Sequence, residues 1–274
     1  MSKKQLIIEN AVYLFSKQGF EQTSIQQITD RAGISKGAFY LSFKSKDELI
    51  ISLIEYFMNN LLIEIEQVVN SNKENKLQAY INALFSNIQR NAFFAKILLN
   101  EKPACLDPTI LEKVQLYYSL ITQALVSIIK EQYTNMEKDL VPELVFLIQS
   151  LTTCYGKLFF QENREIELNE LVENVFEKIN ILANQFSSKF ITYSDIKLIS
   201  EIKITKEQLI EEIHEHLMNV ENADVKEVLE LLKMQLLQQT YPMPVIYGLL
   251  SLLKDHQETS GFAVLATFYY KGQK

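Results

Sequence analysis

Glycine and proline are scarce in this sequence, since its 274 residues include only seven glycines and five prolines. With 47% apolar and 22% charged residues, the composition excludes disordered and collagen-like proteins. The chain must therefore bury a hydrophobic core. Leucine, isoleucine, glutamate, glutamine and lysine are abundant, and these residues favour helices. We therefore predict an all-α fold with almost no sheet.

Cysteines and long apolar runs are also scarce. Cys105 and Cys154 are the two cysteines, and they form no Cys-x-x-Cys pair, so neither a disulfide framework nor a zinc site is expected. We expect both to be reduced thiols in the core. No run of about 18 uncharged apolar residues occurs, and Glu9 interrupts the apolar residues that begin at Leu6. The sequence predicts a cytoplasmic protein that does not bind membranes.

Charge is unevenly distributed along the chain. The formal net charge is −7, yet residues 1–50 carry seven basic and five acidic side chains. Residues 201–230, in contrast, carry nine acidic and three basic side chains. An acidic protein is unsuited to indiscriminate binding of nucleic acids. Only the N-terminal segment is therefore expected to face phosphate groups.

Apolar residues at helical spacing, together with capping residues, divide the chain into consecutive helices. The first helix carries an apolar stripe at Ile7, Ala11, Leu14 and Phe15. The predicted helices cover residues 3–18, 24–32, 36–43, 46–70, 74–101, 108–132, 140–163, 167–188, 205–219, 223–240 and 243–257, followed by an apolar end over 262–270.

Two short helices joined by a tight turn at Gly33 are typical of a helix-turn-helix. The helix after this turn is too short to be stable alone, and its exposed face carries Lys36, Gly37 and Tyr40. Such a helix suits the major groove of DNA, where a glycine lets the backbone approach closely. At the start of the following helix, Lys46 can place an ammonium group against a phosphate.

A set of residues in the first fifty positions matches a known pattern in type and spacing. The set is Phe15-x-x-x-Gly19-Phe20, Thr23, Ile28, Ala32-Gly33-Ile34-Ser35-Lys36-Gly37, Tyr40, Phe43, Lys46 and Leu49. These residues resemble the signature of the TetR (tetracycline-repressor-type) regulators. The resemblance implies a dimer whose helix-turn-helix units enter successive major grooves of a palindromic operator, and a helical C-terminal domain that binds an effector.

Carried over position by position, the resemblance implies a set of residues that contact DNA. They are Thr23, Ser24, Gln26, Ser35, Lys36, Gly37, Tyr40, Ser42 and Lys46. Ser42 stands where the family commonly has His or Tyr, which shortens the reach of that side chain. Thr29 stands where Ala is usual, and we expect it to be a tolerated surface residue.

The remainder of the chain carries no quotable signature. We expect a DNA-binding domain over residues 1–47, an effector-binding and dimerisation domain over 48–189, and a helical extension over 190–274. The family pattern does not explain this extension, which is expected to close the effector cavity or to enlarge the dimer contact. The helices at 140–163 and 167–188 are expected to form a four-helix bundle with a second subunit, although internal packing is the alternative.

Aromatic residues between positions 57 and 160 could line an effector pocket, although most are expected to belong to the core. The candidates are Phe57, Phe85, Phe93, Phe94, Tyr117, Tyr118, Phe146, Tyr155, Phe159 and Phe160. Their number favours an apolar or aromatic effector over a sugar or a phosphate.

Motifs for catalysis and for metal binding are missing from the sequence. His214 and His216 would point to different sides of a helix and could not share an ion. We find no nucleophile elbow, no phosphate-binding loop and no His-Glu-x-x-His helix, and expect no enzyme activity, metal or cofactor. The sequence predicts a dimeric repressor that an effector releases from its operator. The alternative is a helical protein that binds small molecules or a protein partner and no longer reads DNA.

Overall fold

The computed structural model describes residues 3–20, 22–92, 95, 108–161, 165–185, 187–200, 204–239, 241–256 and 258–272. Within these ranges the chain forms helices and no strand, which confirms the all-α prediction. The α-helices are α1 (Lys3–Gln18), α2 (Ile25–Ala32), α3 (Lys36–Tyr40), α4 (Lys46–Asn70), α5 (Lys76–Arg90), α6 (Pro108–Gln132), α7 (Val141–Gly156), α8 (Leu168–Gln185), α9 (Tyr193–Ser200), α10 (Lys206–Asn219), α11 (Ala223–Gln238), α12 (Met243–Lys254) and α13 (Ser260–Gly272).

Helices α1 to α3 form a small N-terminal unit, which we call the head. Helix α1 packs on α2 and α3, and the shared core contains Ile7, Phe15, Ile28 and Phe39. The turn between α2 and α3 passes through Gly33, whose φ of 65° lies in the left-handed region that favours glycine. The head is therefore defined by a compact apolar core and one tight turn.

Helix α4 is the central element of the fold. It extends for 25 residues from the head, and it packs against α1, α5, α6 and α13. Buried residues such as Leu53, Leu62 and Ile65 lie along its length. A helix that contacts partners on several sides needs apolar residues around more of its circumference than a surface helix does.

Helices α5 to α9 form the layer that covers one side of α4. Helix α5 packs on α4, α6, α7 and α8, and α7 packs between α6 and α8. Helix α9 was not predicted from the sequence, and it packs on α6 and α7. The segment just before α9 is held by Glu143 of α7, whose carboxylate accepts hydrogen bonds from the backbone N–H groups of Phe190 and Ile191 at 2.9 and 2.8 Å. Part of the expected extension therefore packs on α6 and α7.

Helices α10 to α13, which we call the C-terminal extension, pack in sequence, each against the next. The last helix, α13, lies against α4 and α10. It is buried around most of its circumference, through Phe262, Ala263, Val264, Leu265, Ala266 and Thr267. The extension thus packs on the helix that joins the head to helices α5 to α9.

Several expectations about the chain need correction. Helix α5 ends at Arg90 and not near residue 101, and residues 93, 94 and 96–107, which include Cys105, lie outside the described ranges. Cys154 is exposed on α7 and is not a core thiol. Helix α7 ends at Gly156 and continues as a 3-10 turn over Lys157–Phe160. No helix in the described part of the chain has the length and apolar character needed to cross a membrane.

Candidate nucleic-acid interface and effector cavity

Serine residues cap the helices around the turn of the head. The Ser24 hydroxyl accepts a hydrogen bond from the N–H of Gln27 at 3.2 Å, and the Gln27 side chain accepts one from the N–H of Ser24 at 2.8 Å. Ser35 caps α3 by accepting from Ala38, and Ser45 caps α4 by accepting from Glu48. Such reciprocal capping stabilises a helix start by about 1 kcal/mol. These local bonds fix the direction in which α3 leaves the turn.

Helix α3 turns one side inward and the other toward solvent. Phe39 is fully buried and packs against Phe43, with 5.8 Å between ring centroids. Lys36, Gly37 and Tyr40 lie on the solvent side, and 53% of Tyr40 is exposed. Ser24, Gln26 and Ser35 are also exposed. Most of the residues expected to contact DNA thus lie on the surface of the head.

Two residues that the sequence did not single out lie beside this surface. Leu41, which directly follows α3, is 88% exposed, and Lys44 is also exposed. From the sequence, a leucine in a short apolar segment is expected in the core. Only the structure shows that the side chain of Leu41 is exposed. Lys44 could have been found, because a basic residue just before a helix start is well placed for a phosphate.

Two threonines of the head are buried. Thr23 is 1% exposed, and its hydroxyl donates to the carbonyl of Gly19 at 2.7 Å. The expected DNA contact of its side chain is therefore corrected to a structural role in the connection between α1 and α2. Thr29 is also 1% exposed, and its hydroxyl donates to the Gln26 carbonyl at 2.9 Å. The expectation that Thr29 is a surface residue is wrong.

Lys46 connects α4 to the head. Its ammonium donates to the carbonyls of Phe20 and Thr23 at 2.8 and 3.1 Å, and it lies 4.1 Å from the centre of the Phe20 ring. Because an ammonium has three N–H donors, only one remains for a phosphate. Ser42 is half-buried, and its hydroxyl points back to the carbonyl of Ala38 at 3.4 Å. Both residues have structural roles that the sequence pattern did not predict.

A cavity of about 260 Å³ lies between α4, α5, α6 and α7. Its apolar wall contains Phe57, Met58, Leu61, Tyr80, Leu84, Ile88, Ala95, Tyr118 and Ile121. Its polar wall contains Asn87, Gln149, Thr152 and Thr153. Burial raises the pKa of both Tyr80 and Tyr118 above the ordinary tyrosine value, so both hydroxyls stay protonated. The cavity is large enough and apolar enough to hold a small molecule.

Of the aromatic candidates, Phe57 and Tyr118 line this cavity. Phe85 is fully buried in the core against Phe159, at 6.0 Å between ring centroids, and Tyr117 turns away and donates to the side chain of Asn59 at 2.9 Å. Phe146 is 43% exposed on the outer side of α7. Tyr155, Phe159 and Phe160 are half-buried outside the cavity wall, while Phe93 and Phe94 lie outside the described residues.

Comparison with known proteins places the head in a family. Residues 7–53 match the family described as bacterial regulatory proteins of the tetR family. Over 92% of this chain and 89% of its own length, the uncharacterized HTH-type transcriptional regulator YerO of Bacillus subtilis is 28% identical. The head and the start of α4 therefore match the tetR family. The chain is also 21% identical to YuxN of Bacillus subtilis, another uncharacterized HTH-type transcriptional regulator, over 99% of this chain and 98% of YuxN.

About two thirds of this chain shares its fold with a solved structure. The transcriptional regulator FadR of Bacillus subtilis, solved in complex with stearoyl-CoA, aligns with a TM-score of 0.56 at 19% identity. The alignment covers 99% of FadR but 67% of this chain. About a third of this chain therefore has no counterpart in FadR, whereas the alignment with YuxN includes it. The additional length is shared with YuxN.

The outer sides of α7 and α8 carry apolar residues that are accessible to solvent. The exposed apolar residues are Phe146 on α7 and Ile181 and Leu182 on α8. The small side chains of Ser150 and Cys154 are exposed on the same side of α7, one and two turns after Phe146. The inner sides pack within the same chain, since Ile148 of α7 and Val175 and Ile179 of α8 are fully buried. The predicted stripes thus serve internal packing in part, and a smaller apolar surface is left exposed.

Proposed function

We propose that this protein is a dimeric repressor that binds a palindromic operator and leaves it when an apolar or aromatic effector occupies the cavity between α4 and α7. The observation that carries the proposal is the position of α4. Its first residue, Lys46, is hydrogen-bonded to the head, and Phe57, Met58 and Leu61 further along it form a wall of the cavity. A ligand in the cavity therefore contacts the same helix that holds the head.

In this proposal, the exposed side of α3 enters the major groove. Lys36 and Tyr40 lie toward base edges or phosphates, and Gly37 lets the α3 backbone approach closely. Leu41 is suited to contact a thymine methyl group. Ser24, Gln26, Ser35, Ser42, Lys44 and the remaining N–H donor of Lys46 lie toward the phosphates on either side.

Dimerisation uses the outer sides of α7 and α8. Two heads read one operator when a two-fold axis places them about 34 Å apart, which is one turn of DNA. Phe146, Ile181 and Leu182 supply apolar contacts, and the small side chains of Ser150 and Cys154 let two copies of α7 approach closely. Isologous packing of these helices gives the four-helix bundle that the sequence favours.

Release from DNA follows from linkage. The effector must bind more tightly to a conformation in which the spacing of the two heads does not fit the operator than to the DNA-bound conformation. A coupling free energy of about 1–3 kcal/mol between two binding sites is ordinary. FadR of Bacillus subtilis was solved with stearoyl-CoA, which supports an effector with an apolar part. YerO and YuxN, as transcriptional regulators, support the assignment to regulation and not to catalysis.

Selection from random duplex DNA tests the function. The purified protein is incubated with the duplexes, bound molecules are recovered and sequenced, and an enriched palindrome is expected. Affinity for that palindrome should fall steeply with salt, with a slope near −0.9 per phosphate contact on a double-logarithmic plot. A folded protein that enriches no sequence at moderate salt would instead be the helical ligand-binding or partner-binding protein that the sequence left open.

Charge placed on the outer side of α7 tests the dimer. Phe146→Glu should convert the dimer to a monomer in sedimentation equilibrium and should lower operator affinity, because a buried carboxylate would have no partner at the interface. Phe190→Glu is the matched control, since Phe190 is exposed but lies outside α7 and α8. Thiol cross-linkers of increasing length should join two copies through Cys154. A dimer that survives Phe146→Glu and resists cross-linking would place the interface elsewhere.

A further inference from the structure

The cavity contains one polar side chain that the protein leaves unsatisfied. Asn87 of α5 is completely buried, and neither its side-chain oxygen nor its side-chain nitrogen has a hydrogen-bond partner among the residues that the structure describes. Buried amide groups are almost always hydrogen-bonded, because desolvation without a partner lowers stability. An unpaired amide in the wall of a cavity therefore indicates that something else in the cavity pairs with it.

Two other polar residues of the wall, Gln149 and Thr152, are engaged within the protein. The Gln149 side chain donates to the hydroxyl of Thr122 at 2.8 Å, and the Thr152 hydroxyl donates to the carbonyl of Ile148 at 2.8 Å. These bonds lie on α6 and α7, opposite the helix that carries Asn87. The unpaired donor and acceptor of Asn87 thus lie on the opposite, α5 side of the cavity.

Charge restricts the group that could pair with Asn87. The described residues that line the cavity include no Asp, Glu, Lys, Arg or His. An ionised carboxylate, phosphate or ammonium beside Asn87 would have no opposite charge nearby, and burial of such an ion is strongly unfavourable. The partner group is therefore neutral.

The geometry of an amide restricts the partner further. Asn87 presents a carbonyl oxygen and an NH₂ group on the same edge of one plane, so a group with a donor and an acceptor on one edge pairs with both atoms at once. Primary carboxamides and lactams have this arrangement, whereas esters and thioesters have acceptors only. A neutral carboxylic acid has it too, but at neutral pH the acid must first take up a proton.

We propose that the cavity binds a small neutral molecule with an apolar body and a primary carboxamide or lactam group, which forms two hydrogen bonds with Asn87. The inference rests on the proposed role of the cavity as the effector site and names the chemical class of the effector. The apolar body lies against Phe57, Leu61 and Ile121. A volume of about 260 Å³ is at the small end for ligand pockets, which favours a short chain or a single ring.

Direct binding to the full-length protein in the absence of DNA tests the inference. Octanamide, methyl octanoate and sodium octanoate share one alkyl chain and differ in the polar group. Calorimetric titration should show octanamide binding at least tenfold more tightly than either of the others. Equal affinities for the amide and the ester would overturn the proposal. Because no operator is involved, this result is separate from the outcome of the DNA selection.

Variants locate the contact. Asn87→Leu should remove the preference for octanamide and leave methyl octanoate binding unchanged or tighter, because an unpaired polar group is replaced by an apolar one of similar size. Asn82→Leu is the matched control, since Asn82 is exposed on the same helix, and it should keep the preference. If Asn87→Leu retains the preference for the amide, the assignment to Asn87 is wrong.

Nuclear magnetic resonance supplies a readout that does not depend on the variant folding. The side-chain NH₂ signals of Asn87 in the wild-type protein should move further when octanamide is added than when methyl octanoate is added, because only the amide pairs with both the oxygen and the nitrogen of Asn87. Equal movement with both ligands, or no movement with either, would contradict pairing through the amide. An operator-release assay with octanamide then reports on the proposed function alone.

Discussion

The head and the C-terminal extension both pack on α4, yet different kinds of contact hold them there. In the head, hydrogen bonds between residues close in sequence, Ser24 with Gln27 and Ser35 with Ala38, fix the starts of the helices. In the extension, contacts between distant residues dominate. Lys254 and Glu66 form an ion pair at 2.7 Å although 188 residues separate them.

The extension fits closely against α4 near its middle. A Cβ added at Gly261 would overlap the side chain of Asn59, so the absence of a side chain lets α13 approach α4. The Asn59 side chain in turn accepts a hydrogen bond from Tyr117 of α6 at 2.9 Å. One residue of α4 is thus in contact with the extension and with the effector domain.

This difference has a consequence for regulation. The head is a separable reading unit whose surface can change without loss of its core, whereas the extension restrains α4 along the segment opposite the cavity. An effector that displaces α4 must also displace α13. Substitutions in the head should therefore affect DNA affinity, and substitutions in the extension should affect stability first.

The largest effect is expected from the exposed side of the head. Tyr40→Ala should lower affinity for the selected operator by about 1000-fold, because each dimer loses two base or phosphate contacts worth about 1–3 kcal/mol each. Thermal unfolding should be unchanged, since Tyr40 is exposed. Tyr56→Ala is the control, because Tyr56 is also exposed but lies on α4. Unchanged operator binding by the Tyr40 variant, measured by gel shift, would refute the role of Tyr40.

A smaller effect is expected where the extension meets α4. Lys254→Met should leave the Glu66 carboxylate, 6% exposed, without its cation. Removal of one member of a buried pair is strongly destabilising, and because Lys254 itself is 29% exposed we expect a loss of about 2 kcal/mol in urea unfolding. Lys189→Met is the matched control, because Lys189 and Asp139 form an exposed pair that should contribute nothing measurable. Equal stability of both variants would mean that the extension is not anchored through Glu66.

Acid should weaken the packing of the C-terminal extension. His216 of α10 packs on Phe262, and burial, assisted by the nearby ammonium of Lys4, lowers the pKa of His216 from its ordinary value to about 4. The unfolded chain protonates this histidine below about pH 6.5, whereas the folded chain keeps it neutral to about pH 4. Stability therefore falls as the pH decreases across that window, by up to about 2 kcal/mol.

The difference between wild-type protein and His216→Gln isolates this contribution, because Glu55, Glu212, Glu215 and Glu258, which line the same cleft, are present in both proteins. Unfolding free energies are measured by urea titration at several pH values. The variant should lose less stability on acidification, while His214→Gln, an exposed position on the same helix, should behave like wild type. Parallel pH profiles for all three proteins would show that His216 is not the responsible group.

The smallest effect is expected from replacing glycine by alanine at two helix positions, one tightly packed and one open. Gly261→Ala should destabilise the protein by about 1 kcal/mol, because the new methyl group displaces Asn59 from its bond with Tyr117. Gly248→Ala in α12 is the control, since a Cβ there has nothing within 4 Å, and it should be neutral or stabilising by up to about 1 kcal/mol. Thermal melts of the two variants that shift in the same direction would contradict a close approach at Gly261.

Sequence reasoning was most successful where structure depends on neighbours in the chain. The bounds of α1, α4 and α6 agree with the predicted ranges, because helical periodicity and capping residues act over a few positions. It failed for α9, which is short and whose preceding segment is held by Glu143 from a distant helix. Helical periodicity and capping residues do not reveal hydrogen bonds to a residue that is distant in sequence.

The candidate site divides in the same way. The exposed side of α3 was predicted, because α3 has a periodic pattern and a recognisable motif. The roles of Thr23 and Lys46 were not, since the pattern cannot tell whether a polar side chain turns outward or hydrogen-bonds to its own backbone. Asn87 was also missed, although a polar residue at the i+7 position from Tyr80, on the inner side of α5, could have marked it.

The amino-acid sequence by itself determined that the chain is helical and where most of its helices lie, and it identified a head with TetR-family features. These properties depend on residues within a few positions of each other. Only the tertiary structure decided that α13 packs on α4, that Phe57 and Tyr118 reach the cavity while Phe85 does not, and that Asn87 is left unpaired there. Those outcomes depend on which sides of distant helices meet, and shape complementarity and desolvation across the whole fold select them.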